Sequence, residues 1–170
     1  QPWEISMSTV DLSRSPDINA TPTNISNLNV GYEFTQTMDV PLLAGRDFSR
    51  QRSNDEFPSL NQLNSNSGPY SILINDLTAQ ELGWENAEEA IGESVYRHIG
   101  PPSIDNEIVV EQLIIGSVGD QKYKFINFKS FGVSGSMYTL RPKSSNYLVI
   151  KIAKNNINDT SKIVLVLKGE

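Results

Sequence analysis

The chain reads as a succession of short alternating runs, with no long amphipathic helix. Trp3-Glu4-Ile5-Ser6-Met7-Ser8 puts Trp3, Ile5 and Met7 on one face, the period-two pattern of a half-buried strand. Residues 12–24 are rich in Ser, Pro and Asn and predict a loop, after which residues 25–30 alternate again as a second strand. Residues 32–38 fit two helical turns, with Phe34 and Met38 four apart on one face. Residues 40–44 are extended, and Pro41 assigns them to a strand start or a sheet edge. Residues 50–69, polar and crowded with Asn and Ser, predict an exposed, mobile loop longer than most connections in compact domains.

A short buried strand follows at residues 71–74. Asn75 or Asp76 can cap a helix that runs to Leu82, and Gly83 supplies the left-handed residue that ends it. A second short helix is expected over residues 86–90, capped by Asn86, with Glu88 and Glu89 in the first turn where the helix dipole favours them. Ser94–Ile99, Ile108–Val118, residues 137–140 and Tyr147–Ile152 are the remaining strands. Residues 163–167 are β-branched enough for a strand, yet Asn158-Asp159-Thr160 just upstream is a good helix cap, and a helix is the preferred reading.

Composition narrows the partners. With 170 residues and 38% hydrophobic positions the chain can build one core or two small lobes. Its formal net charge of −6 argues against nucleic acid, because neutralising phosphates needs a basic surplus, and equally against a polybasic hold on anionic lipid. The absence of Cys removes thiol chemistry, disulfides and thiolate metal sites. No apolar run reaches the roughly 18 residues of a membrane span. The first residues, Gln1-Pro2-Trp3-Glu4, carry neither an initiator Met nor a signal-peptide pattern, so the polypeptide reads as a piece of something longer whose membrane anchor lies elsewhere.

Catalytic chemistry is sparse. His98 is the sole histidine, which excludes a multi-histidine metal site within one chain, and it reads as a solvated strand-end residue. Phosphate-loop, dinucleotide and zinc-protease motifs are missing. Gly116-Ser117-Val118-Gly119-Asp120 reads as a turn or bulge after a buried strand. Glu85, Glu88 and Glu89 could offer oxygen ligands to calcium, but a solvated helix start explains them better. Asp55 with Glu56, and Asp105 with Glu107, read as ordinary loop charge, and the Asn-x-Ser/Thr triplets at Asn19, Asn24 and Asn158 carry little weight. Lys122, Tyr123, Lys124 and Phe125, followed by Phe128, interleave basic and aromatic residues. Acidity speaks against single strands there, so a protein or headgroup contact is the better reading. No catalytic, metal or cofactor set emerges.

Three segments, in order, resemble one family. Phe34–Ser49 carries Leu42-Leu43-Ala44-Gly45-Arg46-Asp47-Phe48; residues 72–92 carry Ile74-Asn75-Asp76, Ala79, Leu82-Gly83-Trp84 and Ala90-Ile91-Gly92. The third, residues 113–120, carries Ile114-Ile115-Gly116-Ser117-Val118-Gly119-Asp120, with Met137-Tyr138 beyond it. Together they are similar to the MacB-like extracytoplasmic core domain of ABC transporter permeases, related to the FtsX and LolC group. Ser117 departs from the Val usual in that motif, and residues 50–69 are a longer insert than the pattern needs. Leu42, Gly45, Arg46, Asp47, Phe48, Asn75, Ala79, Ile91, Gly92, Ile115, Gly116, Val118 and Asp120 are then architectural motif residues. Lys122, Tyr123, Phe125 and Phe128 are candidate partner contacts.

The resemblance implies an α+β, two-lobed domain inserted between membrane helices, with a porter-like lobe from residues 1–48 and 138–170 around a smaller inserted lobe at 49–137. It implies the periplasmic side of a bacterial inner membrane, no cofactor, and no enzymatic activity. The implied partners are a cytoplasmic ATPase subunit or domain, a second permease copy, and a periplasmic adaptor, outer-membrane channel or cargo. The competing readings are a ligand-binding module of a secreted or surface protein that uses residues 122–129, and a hydrolase that uses His98 with a nearby acid.

Overall fold

A computed structural model describes residues 7–64, 66–100, 108–119, 135–142, 147–152 and 163–168. In chain order the elements are β1 (Met7–Ser13), β2 (Thr23–Val30), α1 (Phe34–Met38), β3 (Leu42–Gly45), β4 (Tyr70–Ile74), α2 (Asp76–Glu81), α3 (Ala87–Ala90), β5 (Ser94–Ile99), β6 (Ile108–Val118), β7 (Ser136–Leu140), β8 (Tyr147–Ile152) and β9 (Ile163–Lys168). This is an α+β chain of mostly strands with few, short helices. No helix among the described residues is long and apolar enough to cross a membrane.

Seven strands form one sheet in the order β3-β6-β4-β7-β2-β1-β5, and β5 also pairs with β6. That last pairing closes β6, β4, β7, β2, β1 and β5 into a six-membered ring, with β3 hanging on its outside. The length of β6 makes this workable. Its first half, Ile108 to Leu113, pairs antiparallel with β5, and its last residues, Gly116 to Val118, pair with β3. Against β4 it runs parallel, with a register shift between the pairs Ile72–Ile114 and Leu73–Gly116, so Ile115 is a bulge.

Closure gives every strand an inner and an outer face. Val10, Leu12, Ile25, Ile72, Ile74, Val95, Ile114 and Met137 form the inner core together with Ala79 and Leu82 near α2 and Ala87 and Ala90 of α3, which cover one end of the ring. Leu28, Val30, Leu73, Ile115, Val118 and Tyr138 form the outer core, against which Phe34, Met38 and Phe48 pack. The rings of Phe34 and Tyr138 lie 5.3 Å apart. Strands on both sides of residues 48 and 49 stand in this one sheet, whereas β8 and β9 pair as a separate antiparallel hairpin.

The helix expected over residues 163–167 is instead the strand β9. Its β-branched Ile163, Val164 and Val166 match the antiparallel register of β8, and that long-range pairing outweighs the local cap signal. The first strand also runs further than expected: β1 continues through Ser13 into a stretch read as loop, where Val10 and Leu12 are buried and Thr9 and Asp11 exposed, so the buried face is the one opposite to Met7. Trp3 to Ser6 lie outside the described residues.

Candidate functional site

Gly45 and Gly116 are register partners in β3 and β6, and neither tolerates a side chain. A Cβ on Gly45 would stand 2.4 Å from the Ile115 carbonyl oxygen, and one on Gly116 would stand 2.5 Å from that of Arg46. Gly45 also has φ +74°, the left-handed region that favours glycine. The close approach lets the Arg46 N–H donate to Ile115 O at 2.9 Å, which fixes the start of the next segment on the bulge of β6.

From there three side chains fan out. Arg46 donates from Nη1 and Nη2 to the two carboxylate oxygens of Asp55, at 2.7 and 2.9 Å, and from Nη1 to Asp47 O at 3.1 Å. Asp47 accepts from the Thr35 hydroxyl of α1 and from the Phe48 N–H. Phe48, the last of the motif residues in this segment, is half-buried against the outer core. Leu42, by contrast, is exposed at 40% on the outlying strand β3.

Asp55 is expected to be ordinary loop charge; instead it is fully buried, which corrects the reading of the stretch from Asp55 to Phe57, while residues 50–54 and 59–62 are exposed as expected. Besides Arg46 it accepts from Ser71 Oγ at 2.6 Å, the second residue of β4, and from the Ser49 N–H at 2.8 Å. Burial pushes its carboxyl up, but the hydrogen bonds from Arg46, Ser71 and Ser49 and the guanidinium charge pull harder, so its pKa lies below the ordinary aspartate value. Around it the segment is pinned. Phe57 is buried and its N–H reaches Leu140 O at 2.9 Å, Tyr32 donates to Glu56 at 3.3 Å, and Arg50 lies 4.2 Å over the Tyr32 ring.

The second motif segment makes its own lock. Asn75 caps α2, as its position between a strand and an apolar helix predicts: its Oδ1 accepts from the Thr78 N–H at 3.1 Å. The same oxygen accepts from the Ser136 N–H at 3.0 Å, and the Asn75 N–H returns a bond to Ser136 O at 3.1 Å. Asn75 thus joins the end of β4 to the start of β7. Next to it Glu81 accepts from the Gly135 N–H at 3.1 Å; burial raises the Glu81 pKa above its ordinary value, and that hydrogen bond offsets part of the rise. Gly83 and Gly92 have φ +93° and +88°; Gly92 donates to Ile114 O at 2.8 Å and turns the chain into β5. Ala79 is fully buried and Ile91 packs on the inner core, while Ile115 and Val118 belong to the outer core.

The remaining candidates separate. Asp120, Lys122, Tyr123, Phe125 and Phe128 lie outside the described residues. His98 stands next to the end of β5, as expected, but is half-buried, and its Nε2 is 2.9 Å from Ser13 Oγ. Ser13 Oγ donates its single proton to Ser15 O at 2.7 Å, so in this arrangement His98 is the donor to Ser13, the reverse of a base activating a nucleophile. Asn86 caps α3, accepting from the Glu89 N–H at 3.1 Å, and Glu89 accepts from the Glu85 N–H at 3.2 Å. Among the described residues no acidic or imidazole cluster could hold a metal ion. An open hollow of about 400 Å³ beside Ile18, Tyr96 and Ile108 contains Glu111, whose carboxylate accepts from Ser94 Oγ at 2.6 Å.

No family model matches the chain, and no curated protein matches it by sequence. Solved structures do resemble it. The periplasmic region of MacB from Actinobacillus actinomycetemcomitans is 16% identical with a TM-score of 0.46, over 97% of this chain and 56% of that one. The extracellular domain of the noncanonic ABC-type transporter YknZ from Gram-positive bacteria is 13% identical with a TM-score of 0.44, over 79% of this chain and 51% of that one. The chain therefore spans about half the length of the solved domains it matches.

Proposed function

We propose that this chain is a MacB-like extracytoplasmic domain of an ABC transporter permease, a non-catalytic module that couples ATP hydrolysis in the cytoplasm to movement of a partner or cargo beyond the inner membrane. One observation carries the reading: motif segments far apart in sequence meet as one architectural unit. Gly45 and Arg46 of the first segment close on Ile115 and Gly116 of the third. Asn75 of the second binds Ser136, next to the Met137-Tyr138 pair. The residues behind the resemblance thus hold backbone together, which is what a transmitting domain asks of them. Among their polar side chains, Arg46 pairs with Asp55 and Asp47 with Thr35.

In the intact protein such a domain works with an ATP-binding subunit or domain, a second permease copy, and an adaptor, channel or cargo on the outer side. The test is to purify the full-length protein from membranes and compare it with its Arg46→Ala variant. Arg46→Ala is expected to keep the ATPase rate of the assembly while cargo or partner movement falls at least about tenfold, the signature of lost coupling. A full-length protein that sits in no membrane and associates with no ATP-binding domain contradicts the proposal.

A further inference from the structure

The inner face of the ring changes character from one end to the other. Under α2 and α3 it is aliphatic, but toward the start of β4 and the end of β7 it carries Asn27, Thr139, Gln112 and Arg97, all buried. Asn27 and Thr139 satisfy each other through a 2.6 Å hydrogen bond. Arg97 and Gln112 do not: Arg97 Nη1 and both amide atoms of Gln112 are buried without a hydrogen-bond partner. Arg97 pairs with Val110 and Gln112 with Val95, so the two side chains are diagonal neighbours on one face, within reach of long side chains.

Phe57 closes this end. Its ring lies 5.3 Å from that of Tyr70, with the Arg97 guanidinium 5.1 Å from its centroid and that of Arg141 at 6.0 Å. The ion pairs found among the described residues, Arg46 with Asp55 and Arg50 with Glu33, do not involve Arg97. A buried guanidinium without a counter-charge is costly; burial, together with the charge of Arg141, lowers the Arg97 pKa to about 10.

We propose that this end of the ring is a binding site for a small inorganic monoanion of chloride size, held by Arg97 Nη1 and the Gln112 amide. Arg97 is 8% exposed and Gln112 is fully buried, so an ion held here is kept away from bulk solvent. A bound monoanion neutralises the buried guanidinium and gives two orphaned donors one acceptor. It stabilises the folded chain without entering any chemistry.

The test is thermal unfolding of the 170-residue chain at pH 7 in sodium chloride and in the sodium salt of the bulky sulfonate MOPS, at equal ionic strength. At a chloride concentration ten times the dissociation constant, linkage multiplies the folded-to-unfolded ratio about elevenfold, a rise of a few degrees in Tm. Arg97→Met is expected to abolish the chloride increment, and Arg97→Lys to keep part of it. If Arg97→Met does not fold, crystals of the unaltered chain in sodium bromide decide, with an anomalous peak within hydrogen-bond distance of Arg97 Nη1. Equal Tm in the two salts, an increment that survives Arg97→Met, or no bromide at Arg97 overturns the proposal.

Discussion

Arg46 and Asp55 meet through two parallel hydrogen bonds of 2.7 and 2.9 Å, and the carboxylate of that pair is fully buried. Nine residues apart, they fasten the segment after β3 to the segment before β4, where Ser71 completes the carboxylate's shell. Removing one partner leaves a buried charge uncompensated, which costs more than the pair contributes. Because the Arg46 side chain is about a third exposed, Arg46→Ala should cost about 2–3 kcal/mol in urea unfolding at pH 7. The double replacement Arg46→Leu with Asp55→Leu should cost less than either single change.

The same pair gives the fold an acid-side weakness. The folded pKa of Asp55 lies below its unfolded value, so its stabilisation is complete above the unfolded value, near about 4, and is lost as pH falls through the folded value. The stability difference between the unaltered chain and Asp55→Asn should therefore be largest above about pH 5 and shrink as pH falls below 4. Urea titrations at stepped pH measure it. A difference that is flat from pH 7 to 2 contradicts the assignment.

Glu81 behaves with the opposite sign. Its carboxyl pKa is raised on folding, so ionisation weakens the folded state once pH climbs above the unfolded value, and the loss is complete above the folded one. Gln can still accept from the Gly135 N–H. Glu81→Gln is expected to match or exceed the Tm of the unaltered chain at pH 7 and to show no gain at pH 3.5. A lower Tm at pH 7 contradicts this.

The Gly45–Gly116 contact is backbone on backbone. Gly116→Ala drives a Cβ to 2.5 Å from Arg46 O, and no flexible side chain can move away. Gly45→Ala adds positive-φ strain to a similar clash. Each should cost at least about 2–3 kcal/mol, with Gly45→Ala the worse. By comparison Gly92→Ala meets nothing within 4 Å and carries only the φ term, about 1–2 kcal/mol.

Asn75→Ala removes a helix cap and the acceptor of the Ser136 N–H together. The cap is worth about 1 kcal/mol and the orphaned, partly buried Ser136 donor about 1 more, so a loss of about 2 kcal/mol is expected in denaturant unfolding. Asn86→Ala, which removes a cap alone, should lose only about 1 kcal/mol.

What the sequence makes legible is what depends on neighbours in the chain. Asn75 and Asn86 cap their helices, Gly83 and Gly92 turn left-handed, and β4 to β6 fall where alternation and buried runs put them. Asp55 was not legible, because its burial is created by Arg46 and Ser71, nine and sixteen residues away, inside a segment whose composition reads as solvent-facing loop. Arg97 was hidden in the same way. Between Tyr96 and His98 it looks like strand-surface charge, and only closure of β5 onto both β1 and β6 turns it inward. Ring closure itself is a matter of long-range register, and so is the strand at β9, where local cap chemistry pointed to a helix.

The account stands or falls on which side of the membrane this domain occupies. These 170 residues hold no Cys, so in a full-length protein whose cysteines elsewhere are replaced by Ser, a single Asn61→Cys, at an exposed position of the segment that follows Asp55, is the one labelling site. The measurement is its labelling by a membrane-impermeant maleimide in cells whose cytoplasmic membrane is intact, compared with the same cells after lysis. The account predicts equal labelling before and after lysis. Labelling that appears only after lysis places the domain in the cytoplasm and contradicts it.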